Sequence, residues 1–380
     1  MIEPKIWLSS PHLGGSELNY IHDAFDSNWI APFGANITEF EHDLEKYLSN
    51  SVFVTALSSA TAAIHLGLIL LDVKPGDVVI CQSLTFAASA NPILYQGAVP
   101  IFIDSEAETW NLCPIALENA IMDTISKGKN PKAIITVHLY GVPYKIDEIR
   151  AIADKYNIPI LEDSAEALGS SYKGQKCGTF GDISVFSFNG NKIITTSGGG
   201  AIVTSSRQLK KKVQFLASQA KDEAPHYQHS ELGYNYQMSN ICAGIGRGQM
   251  KVLDNHVALR RAMHDFYVSV FENIQGITVF TTADPDYFSN YWLTSILVNP
   301  AVTKNGINKE TIRLTLLDAN IECRPLWKPM HLQPLYENCP YYGEKVAETL
   351  FENGLSLPSG SNLTDSDKDR IKTCLLKLLS

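Results

Sequence analysis

The segment Ser-Phe-Asn-Gly-Asn-Lys-Ile-Ile-Thr-Thr-Ser-Gly-Gly-Gly runs from Ser187 to Gly200. It overlaps the end of an apolar run, residues 183–188, which is typical of a strand in the centre of a sheet. Such a strand ends in a cleft, so Lys192 is expected in a partly buried site rather than in bulk water. An amine in that position can hold an aldehyde cofactor as a Schiff base, although a lone lysine is more often on a surface loop.

A second apolar run, residues 158–163, ends in the carboxylate of Asp163. Pyridoxal phosphate (PLP) needs both a lysine for its aldehyde and an acid that keeps its ring nitrogen protonated. The charge-assisted hydrogen bond between that nitrogen and an aspartate is worth about 1.5–3 kcal/mol. An aspartate at a strand end also often caps the next helix. Because two strands end in the two groups required, the sequence favours a PLP site with Lys192 and Asp163 as its catalytic residues.

The third requirement of such a site is a cradle for the phosphate group. The apolar run 52–57 leads into Ser58-Ser59-Ala60-Thr61 and a helical pattern. Free N–H groups and the dipole at a helix N-terminus favour a dianion. We therefore expect Ser59 and Ala60 to bind the phosphate, with a hydroxyl group from Ser187. Ordinary serine capping of the helix is the alternative.

The order of elements along the chain predicts an α/β fold. Apolar runs alternate with helical stretches, a pattern typical of a mainly parallel sheet flanked by helices. The seven predicted strands cover residues 52–57, 78–81, 99–104, 133–139, 158–163, 183–188 and 201–204. The predicted helices between them include residues 114–127 and 145–156.

The remainder of the chain predicts a second, smaller unit. With 380 residues, of which 45% are hydrophobic, the chain can bury more than one core. A long helical pattern over residues 251–273 precedes β-like runs at 278–281 and 292–298. Terminal helices are predicted near residues 310–320 and 365–379. We predict a large cofactor-binding domain over residues 1–245 and a small C-terminal α+β domain over residues 246–380, which includes the long linking helix.

Charge and cysteine usage narrow the class of protein. The net charge of −9 argues against nucleic acid as the main partner. The seven cysteines are scattered, without the spacing of metal ligands, so no metal is expected. There is no signal peptide and no long apolar stretch. These features predict a reduced, cytoplasmic protein without a membrane partner.

Three motifs carry a resemblance to a known family. They are Glu-Asp-x-Ala-x-Ala at residues 162–167, the Ser-x-x-x-x-Lys loop with its glycine-rich turn, and Gly-Tyr-Asn-Tyr-x-Met-Ser at residues 233–239. The chain resembles the DegT/DnrJ/EryC1/StrS sugar-nucleotide aminotransferases over nearly its whole length. The resemblance implies PLP fold type I, with a seven-stranded sheet in the large domain, and PLP as the cofactor. It also implies a homodimer with shared active sites.

The resemblance extends to further cofactor-binding residues. Phe86 matches a position where relatives place an aromatic ring over the cofactor, and Asn235 matches a residue that reaches the neighbouring subunit's phosphate. Glu166 and Asn189 belong to the same implied cofactor site. Gln237 departs from the family pattern, since most relatives have arginine there, and this puts the ion pair of that arginine in doubt.

A narrower similarity suggests a substrate. The strings at residues 187–200, 324–331 and 357–360 are similar to enzymes that aminate C4 of UDP-4-keto-6-deoxy-N-acetylglucosamine for bacillosamine-type sugars. Glu166 also fits that subgroup. The substrate-binding residues implied by resemblance are Trp29, Ile30, Glu166, Arg324 and His331. Arg324 has a structural ion pair as its alternative.

The implied reaction is a transamination in two halves with L-glutamate as the amino donor. The resemblance implies that Lys192, once released, acts as the general base, while Asp163 supports the electron sink. Three alternatives remain open from the sequence. They are a relative acting at C3 or on a TDP-sugar, a PLP-dependent sugar dehydratase, and a non-catalytic binding module. Lys192 argues against the dehydratase, which replaces that lysine with histidine. The presence of both catalytic residues argues against the binding module.

Overall fold

The computed structural model describes residues 3–49 and 51–379. The helices of this part of the chain are α1 Glu17–Asp26, α2 Ala35–Leu48, α3 Ala60–Leu70, α4 Ala87–Tyr95, α5 Pro114–Ser126, α6 Ile146–Tyr156, α7 Arg207–Ala217, α8 Asn240–Met250, α9 Leu253–Phe271, α10 Lys309–Asp318, α11 Val346–Asn353 and α12 Asp365–Leu379. The strands are β1 Phe53–Leu57, β2 Val78–Gln82, β3 Val99–Ile103, β4 Pro131–Val137, β5 Ile160–Asp163, β6 Ser171–Tyr172, β7 Gln175–Lys176, β8 Ile183–Ser187, β9 Gly200–Thr204, β10 Ile277–Val279, β11 Tyr287–Phe288, β12 Thr294–Val298, β13 Arg324–Pro325, β14 Tyr341–Tyr342 and β15 Gly354–Leu357.

The large sheet has eight strands in the order β1-β9-β8-β5-β4-β2-β3-β14. Strand β9 is antiparallel to both of its neighbours, and the other adjacent pairs are parallel. All seven predicted strands are present within a few residues of their predicted bounds, so the α/β fold with a mainly parallel sheet is confirmed. The eighth strand, β14, was not predicted because two residues are too few to give a hydrophobic pattern.

Both faces of this sheet are buried, as apolar runs without alternation require. One face packs on α3 and α4 through residues such as Ile64 and Ile93. The other face packs on α5 and α6 through residues such as Leu117 and Ile149. Helix α3 begins with a Ser59 side chain that accepts from the Ala62 N–H at 3.0 Å, which caps one of the orphan donors of its first turn.

The register of the sheet brings the cofactor-related segments together. Gly200, the first residue of β9, lies opposite both Leu57 at the end of β1 and Ser187 at the end of β8. Asp163 ends the next parallel strand, β5. The lysine loop, the start of α3 and Asp163 therefore share the carboxyl edge of the sheet, where ligands bind in open α/β folds.

The C-terminal part of the chain builds a second sheet, β10-β12-β15-β13, covered by α9, α10 and α12. The predicted division at residue 245 stays a prediction, and two segments lie across it. Ile6 pairs with Ile321 and is buried in the core of the second sheet. Strand β14 returns to the edge of the large sheet beside β3.

Candidate active site

A cavity of about 880 Å³ lies at the carboxyl edge of the large sheet. It is lined by every predicted cofactor-binding residue except Asn235, namely Ser59, Ala60, Phe86, Asp163, Glu166, Ser187, Asn189 and Lys192. Residues distant in sequence therefore meet in one site, as the strand-end argument predicted.

Lys192 points into this cavity with only 13% of its side chain exposed. Its Nζ lies 3.1 Å from Oε1 of Glu166 and 4.0 Å from the centroid of the Trp292 ring. The ammonium group is thus held between a carboxylate and an aromatic face, and both favour a positive charge. The amine has a defined position near the floor of the cavity.

Asp163 is buried at the end of β5. Its Oδ2 accepts from the Ser89 hydroxyl at 2.7 Å, and its Oδ1 accepts from the Ala165 N–H at 3.1 Å. Burial raises the pKa of Asp163, although these hydrogen bonds and the charge of Lys192 oppose the rise. A cationic ring N–H would relieve that cost, so the position suits a protonated pyridine nitrogen.

Glu166 is also buried against the lysine. Its Oε2 accepts from the N–H of Tyr140 at 2.8 Å, while its Oε1 faces Lys192. Burial raises the pKa of Glu166 to about 7, in spite of the nearby positive charge of Lys192. This carboxyl group can therefore exchange a proton with its surroundings near neutral pH.

The first turn of α3 faces the same cavity. Ala60 and Thr61 line it, and the N–H groups of a first turn have no acceptors within their own helix. The lysine loop closes tightly on this turn, because a Cβ atom added to Gly200 would lie 2.3 Å from the Ala60 nitrogen. The glycine therefore lets the backbone approach closely beside an anion-binding helix end.

These residues fit PLP on three counts. An amine and a buried carboxylate face one cavity, and a helix N-terminus with open N–H groups lies beside them. Lys192 would hold the aldehyde, Asp163 the ring nitrogen, and the turn at Ser59 and Ala60 the phosphate together with Ser187. When bound, PLP supplies an electron sink that the side chains of a protein lack.

The predicted substrate residues divide into two groups. Arg324 lines the cavity, and its guanidinium also pairs with Glu322 at 2.8 Å, so the structural ion pair is present and the contact with substrate stays a prediction. Trp29 and Ile30 are half exposed and do not line the cavity within the described chain. His331 lies outside the lining and is bound by Ser83 at 2.7 Å and by Glu348 at 3.4 Å.

Asn235 and two histidines, His138 and His65, lie outside the cavity lining. Asn235 forms an isolated bridge with Ser218. His138 is fully buried, and its Nε2 lies 2.7 Å from Oε1 of Glu162, which makes it a core histidine. His65 lies against Gln96 and Tyr236.

Several cavity residues were missed from the sequence. They are aromatic side chains from four separate segments: Trp7, Tyr140, Trp292 and Trp327. Trp292 lay inside a predicted strand run, but nothing in the local sequence shows that its ring would reach Lys192. These contacts form only through the tertiary fold.

The fold and the site together define a PLP-dependent transferase of the α/β class. The profile of the DegT/DnrJ/EryC1/StrS aminotransferase family matches residues 11–376. The chain belongs to this family and is a PLP-dependent sugar aminotransferase. The expected enzyme class and cofactor are thereby confirmed.

Named relatives cover nearly the whole chain. EpsN of Bacillus subtilis (strain 168), described as a pyridoxal phosphate-dependent aminotransferase, is 48% identical over 98% of this chain and 96% of its own length. The GDP-perosamine synthase of Escherichia coli O157:H7 is 39% identical over 93% of each chain. A UDP-4-amino-4,6-dideoxy-N-acetyl-beta-L-altrosamine transaminase of Campylobacter jejuni is 33% identical over 91% of this chain and 90% of its own.

Solved structures agree with this assignment. An aminotransferase of the same family from Brucella abortus superposes with a TM-score of 0.88 at 27% identity, covering 96% of this chain and 95% of that one. Spr1654 of Streptococcus pneumoniae, described as a sugar aminotransferase, was solved in a PLP form. It matches with a TM-score of 0.87 at 28% identity over 99% of this chain and 100% of that one.

The described residues contain neither a membrane-spanning helix nor a cluster of metal ligands. None of their helices is long and apolar enough to cross a membrane. No group of three or more His, Cys, Asp or Glu side chains among residues 3–49 and 51–379 is arranged to hold a metal ion.

Proposed function

We propose that the enzyme transfers an amino group from L-glutamate to C4 of a UDP-4-keto-6-deoxy-N-acetylhexosamine. The product is a UDP-4-amino-4,6-dideoxy sugar for a surface glycan or a glycoprotein. One observation carries the proposal: the Lys192 amine, the buried Asp163 carboxylate and the N-terminus of α3 all face one cavity. This set supports transamination, and the choice of sugar rests on the comparisons.

Lys192 is proposed as the group that moves the proton. Its Nζ, once neutral, would take a proton from Cα of the amino donor in the first half-reaction. In the second half-reaction it would give a proton to the carbon of the sugar that is aminated. Glu166 lies 3.1 Å from Nζ and has a pKa of about 7, so it can share that proton near neutral pH. Asp163 would face the ring nitrogen of bound PLP, whose positive charge would favour the carboxylate form and so support the electron sink that PLP supplies.

The proposed sugar site lies above the cofactor residues. Trp7 and Trp327 give this part of the cavity flat apolar faces, against which a sugar ring can pack. Arg324 at the same cavity provides a cation for the diphosphate. The overall negative charge of the protein makes such a local cation necessary for an anionic substrate.

The relatives support C4 as the position that is aminated. The Campylobacter jejuni relative is named for a UDP-linked 4-amino-4,6-dideoxy sugar. The Escherichia coli relative is named for GDP-perosamine, and at 39% identity it is more similar to this chain. A GDP-linked keto sugar is therefore the second candidate substrate. C3 amination and TDP-linked sugars are the remaining alternatives.

The absorbance spectrum of the purified enzyme tests the proposal. We expect a band at roughly 410–430 nm from lysine-bound PLP, and L-glutamate should bleach it. UDP-4-keto-6-deoxy-N-acetylglucosamine should then restore the colour more efficiently than the GDP-linked or TDP-linked keto sugars. A protein that stays colourless with added PLP would overturn the transaminase proposal, while restoration by the GDP-sugar alone would overturn only the choice of nucleotide.

We also propose that the enzyme works as a homodimer in the cytoplasm. Large apolar side chains are exposed on the N-terminal helical region: Leu13, Leu18, Phe25, Trp29, Ile30 and Phe33. Such a patch is typical of an interface. A partner there would explain how Trp29 and Ile30 serve a site that they do not line within one chain. All seven cysteines are free thiols, which suits a reducing compartment. Light scattering coupled to gel filtration should give twice the mass of the chain, and a monomer with full activity would contradict the proposal.

A further inference from the structure

The backbone on either side of Lys192 is held by side chains from distant parts of the chain. The carbonyl oxygen of Asn191 accepts from Nε1 of Trp292 at 2.7 Å and from Oγ of Ser9 at 2.7 Å. The carbonyl oxygen of Ile193 lies 3.3 Å from Nδ1 of His256. The carbonyl groups of the residues before and after Lys192 are therefore both fixed by side-chain donors.

Arg260 contacts the residues that supply two of these donors. Its guanidinium donates to the carbonyl oxygen of Trp292 at 2.7 Å and to Oγ of Ser9 at 3.0 Å. It also reaches the carbonyl oxygen of Lys192 itself in a long contact of 3.4 Å, and that of Ser359 at 3.2 Å. The arginine thus contacts the backbone of Lys192 and both residues whose side chains hold Asn191.

The burial of Arg260 is costly, and no carboxylate among the described residues accepts a hydrogen bond from it. The residue is 1% exposed, and every acceptor found for it in the described chain is a neutral carbonyl or hydroxyl oxygen. Its Nε has no hydrogen-bond partner there. A buried cation without a carboxylate partner is unfavourable for stability alone. Its neutral contacts instead converge on the segment that carries the amine.

His256 completes the arrangement from the same helix. It lies one turn before Arg260 on α9, so both side chains project from one face of that helix. Burial lowers the pKa of His256 to about 4, and its ring is therefore neutral at neutral pH. Because its partner at Nδ1 is a carbonyl oxygen, the proton must be on that nitrogen.

We propose that Arg260 and Trp292 are positioning residues that fix the reach of Lys192 into the cavity. Arg260 holds Trp292 and Ser9, and these hold the Asn191 carbonyl. The Trp292 ring then lies 4.0 Å from Nζ, opposite the carboxylate of Glu166. The position of the amine is set from helix α9 and the segment before β12, not only from the loop that carries the lysine. This inference rests on the proposed role of Lys192 as the cofactor lysine.

Two measurements test the inference. In the apoprotein, competitive acetylation with acetic anhydride and peptide mass spectrometry give the labelling of Lys192 relative to the exposed Lys74. In the same preparation, stopped-flow absorbance gives the rate constant of PLP capture. For Arg260→Met we expect relative labelling of Lys192 to rise at least threefold, because Nζ leaves its enclosed position, and PLP capture to slow at least tenfold. Arg260→Lys keeps a hydrogen-bond donor and the positive charge. Its Lys192 labelling and its rate of PLP capture should therefore lie between those of Arg260→Met and wild type.

Arg261→Met is the matched control on the same helix. Arg261 donates to the Ser289 carbonyl and stacks over the Phe288 ring, away from the lysine loop. It should lower the melting temperature without changing either lysine readout. If Arg260→Met also lowers only the melting temperature, with both readouts within twofold of wild type, Arg260 is structural and the inference is wrong.

If Arg260→Met does not fold, a second variant at Trp292 tests the inference. Trp292→Phe keeps an aromatic face near Nζ but removes the indole donor to Asn191, so both readouts should shift in the same directions. Unchanged readouts in Trp292→Phe would overturn the inference. Borohydride reduction of wild-type holoenzyme separately identifies the lysine that binds PLP. If that lysine is not Lys192 the proposed function fails, whereas the acetylation ratio still reports on the positioning.

Discussion

The amine of Lys192 and the carboxyl group of Glu166 lie 3.1 Å apart in a site that is closed to most solvent. Two opposing effects act on this carboxyl group. Burial favours its neutral form, and the lysine favours its charged form. The first effect is larger, since the pKa of Glu166 rises from 4.5 to about 7. Glu166 can therefore gain or lose a proton near neutral pH while it faces the Lys192 amine.

This shift makes the stability of the apoprotein depend on pH. Between about pH 4.5 and 7 the folded chain keeps a proton on Glu166 that the unfolded chain releases, so stability falls as the pH rises. The full effect is worth up to about 3 kcal/mol. Glu166→Gln removes this titration, so we expect the variant to gain stability relative to wild type as the pH rises from 4 to 8. Urea unfolding at several pH values measures the difference.

The exposed Glu223 provides the control for that series. Glu223→Gln should follow the wild-type pH profile throughout. Parallel profiles for Glu166→Gln and wild type would mean that Glu166 does not hold its proton near neutrality, and its proposed part in proton exchange would then be lost.

Replacing Lys192 should remove catalysis without unfolding the protein. The side chain lies at the cavity wall, so Lys192→Ala leaves the core intact. We expect the rate of the glutamate half-reaction to fall at least 100-fold, in line with the loss of a general base, and the band at roughly 410–430 nm to be absent. Lys173→Ala, at an exposed ion pair with Asp147, should keep both properties. Substantial turnover in Lys192→Ala would assign the chemistry to another residue.

The close approach at Gly200 gives a steric test of the phosphate cradle. A Cβ atom at residue 200 would lie 2.3 Å from the Ala60 nitrogen and 2.4 Å from the Ser59 carbonyl carbon, so the backbone has to move. Gly200→Ala should cost about 1–3 kcal/mol of stability. It should also weaken PLP binding at least tenfold, because the helix N-terminus is displaced.

Gly198 is the matched control in the same loop. A Cβ atom there meets no heavy atom within 4 Å, so Gly198→Ala should stay within about 0.5 kcal/mol of wild type. Thermal unfolding and PLP titration by absorbance measure both variants. Normal PLP affinity in Gly200→Ala would place the phosphate away from this helix turn.

The strand ends and the proximity of Asp163 to Lys192 could be predicted because each depends on a local pattern. Apolar runs mark buried strands, and parallel strands end at one edge, so Asp163 and Lys192 had to lie near each other. The contacts of Arg260 and Trp292 with the lysine loop could not be predicted in this way. They join residues separated by 68 and 101 positions, and no local pattern specifies such pairs.

In the motif Glu162-Asp163, the position of Asp163 could be predicted from the local pattern, but the contacts of Glu162 could not. Successive side chains of a strand point to opposite faces of the sheet. Asp163 lines the cavity, where the sequence placed it, while Glu162 points the other way into the protein core. The hydrogen-bond partners of Glu162 come from distant residues and are seen only in the folded structure.

Glu162 is a buried carboxylate that accepts from several donors at once. Its Oε1 lies 2.7 Å from Nε2 of His138 and accepts from the Gly178 N–H, and its Oε2 accepts from the N–H groups of Phe180 and Gly181. Burial alone would raise the pKa of Glu162, but these interactions outweigh it and lower the pKa to about 2.

Glu162→Gln should therefore destabilise the protein by about 3 kcal/mol at neutral pH, since the amide leaves some of these donors unpaired. The stabilisation by the carboxylate is present above the unfolded pKa of 4.5 and is lost as the pH falls towards 2. The difference between wild type and Glu162→Gln, measured by urea unfolding, should consequently narrow in acid. Glu118→Gln at the exposed pair with Lys155 should leave the unfolding midpoint at pH 7 unchanged. A constant difference between wild type and Glu162→Gln at all pH values would show that the loss comes from packing rather than from the charge.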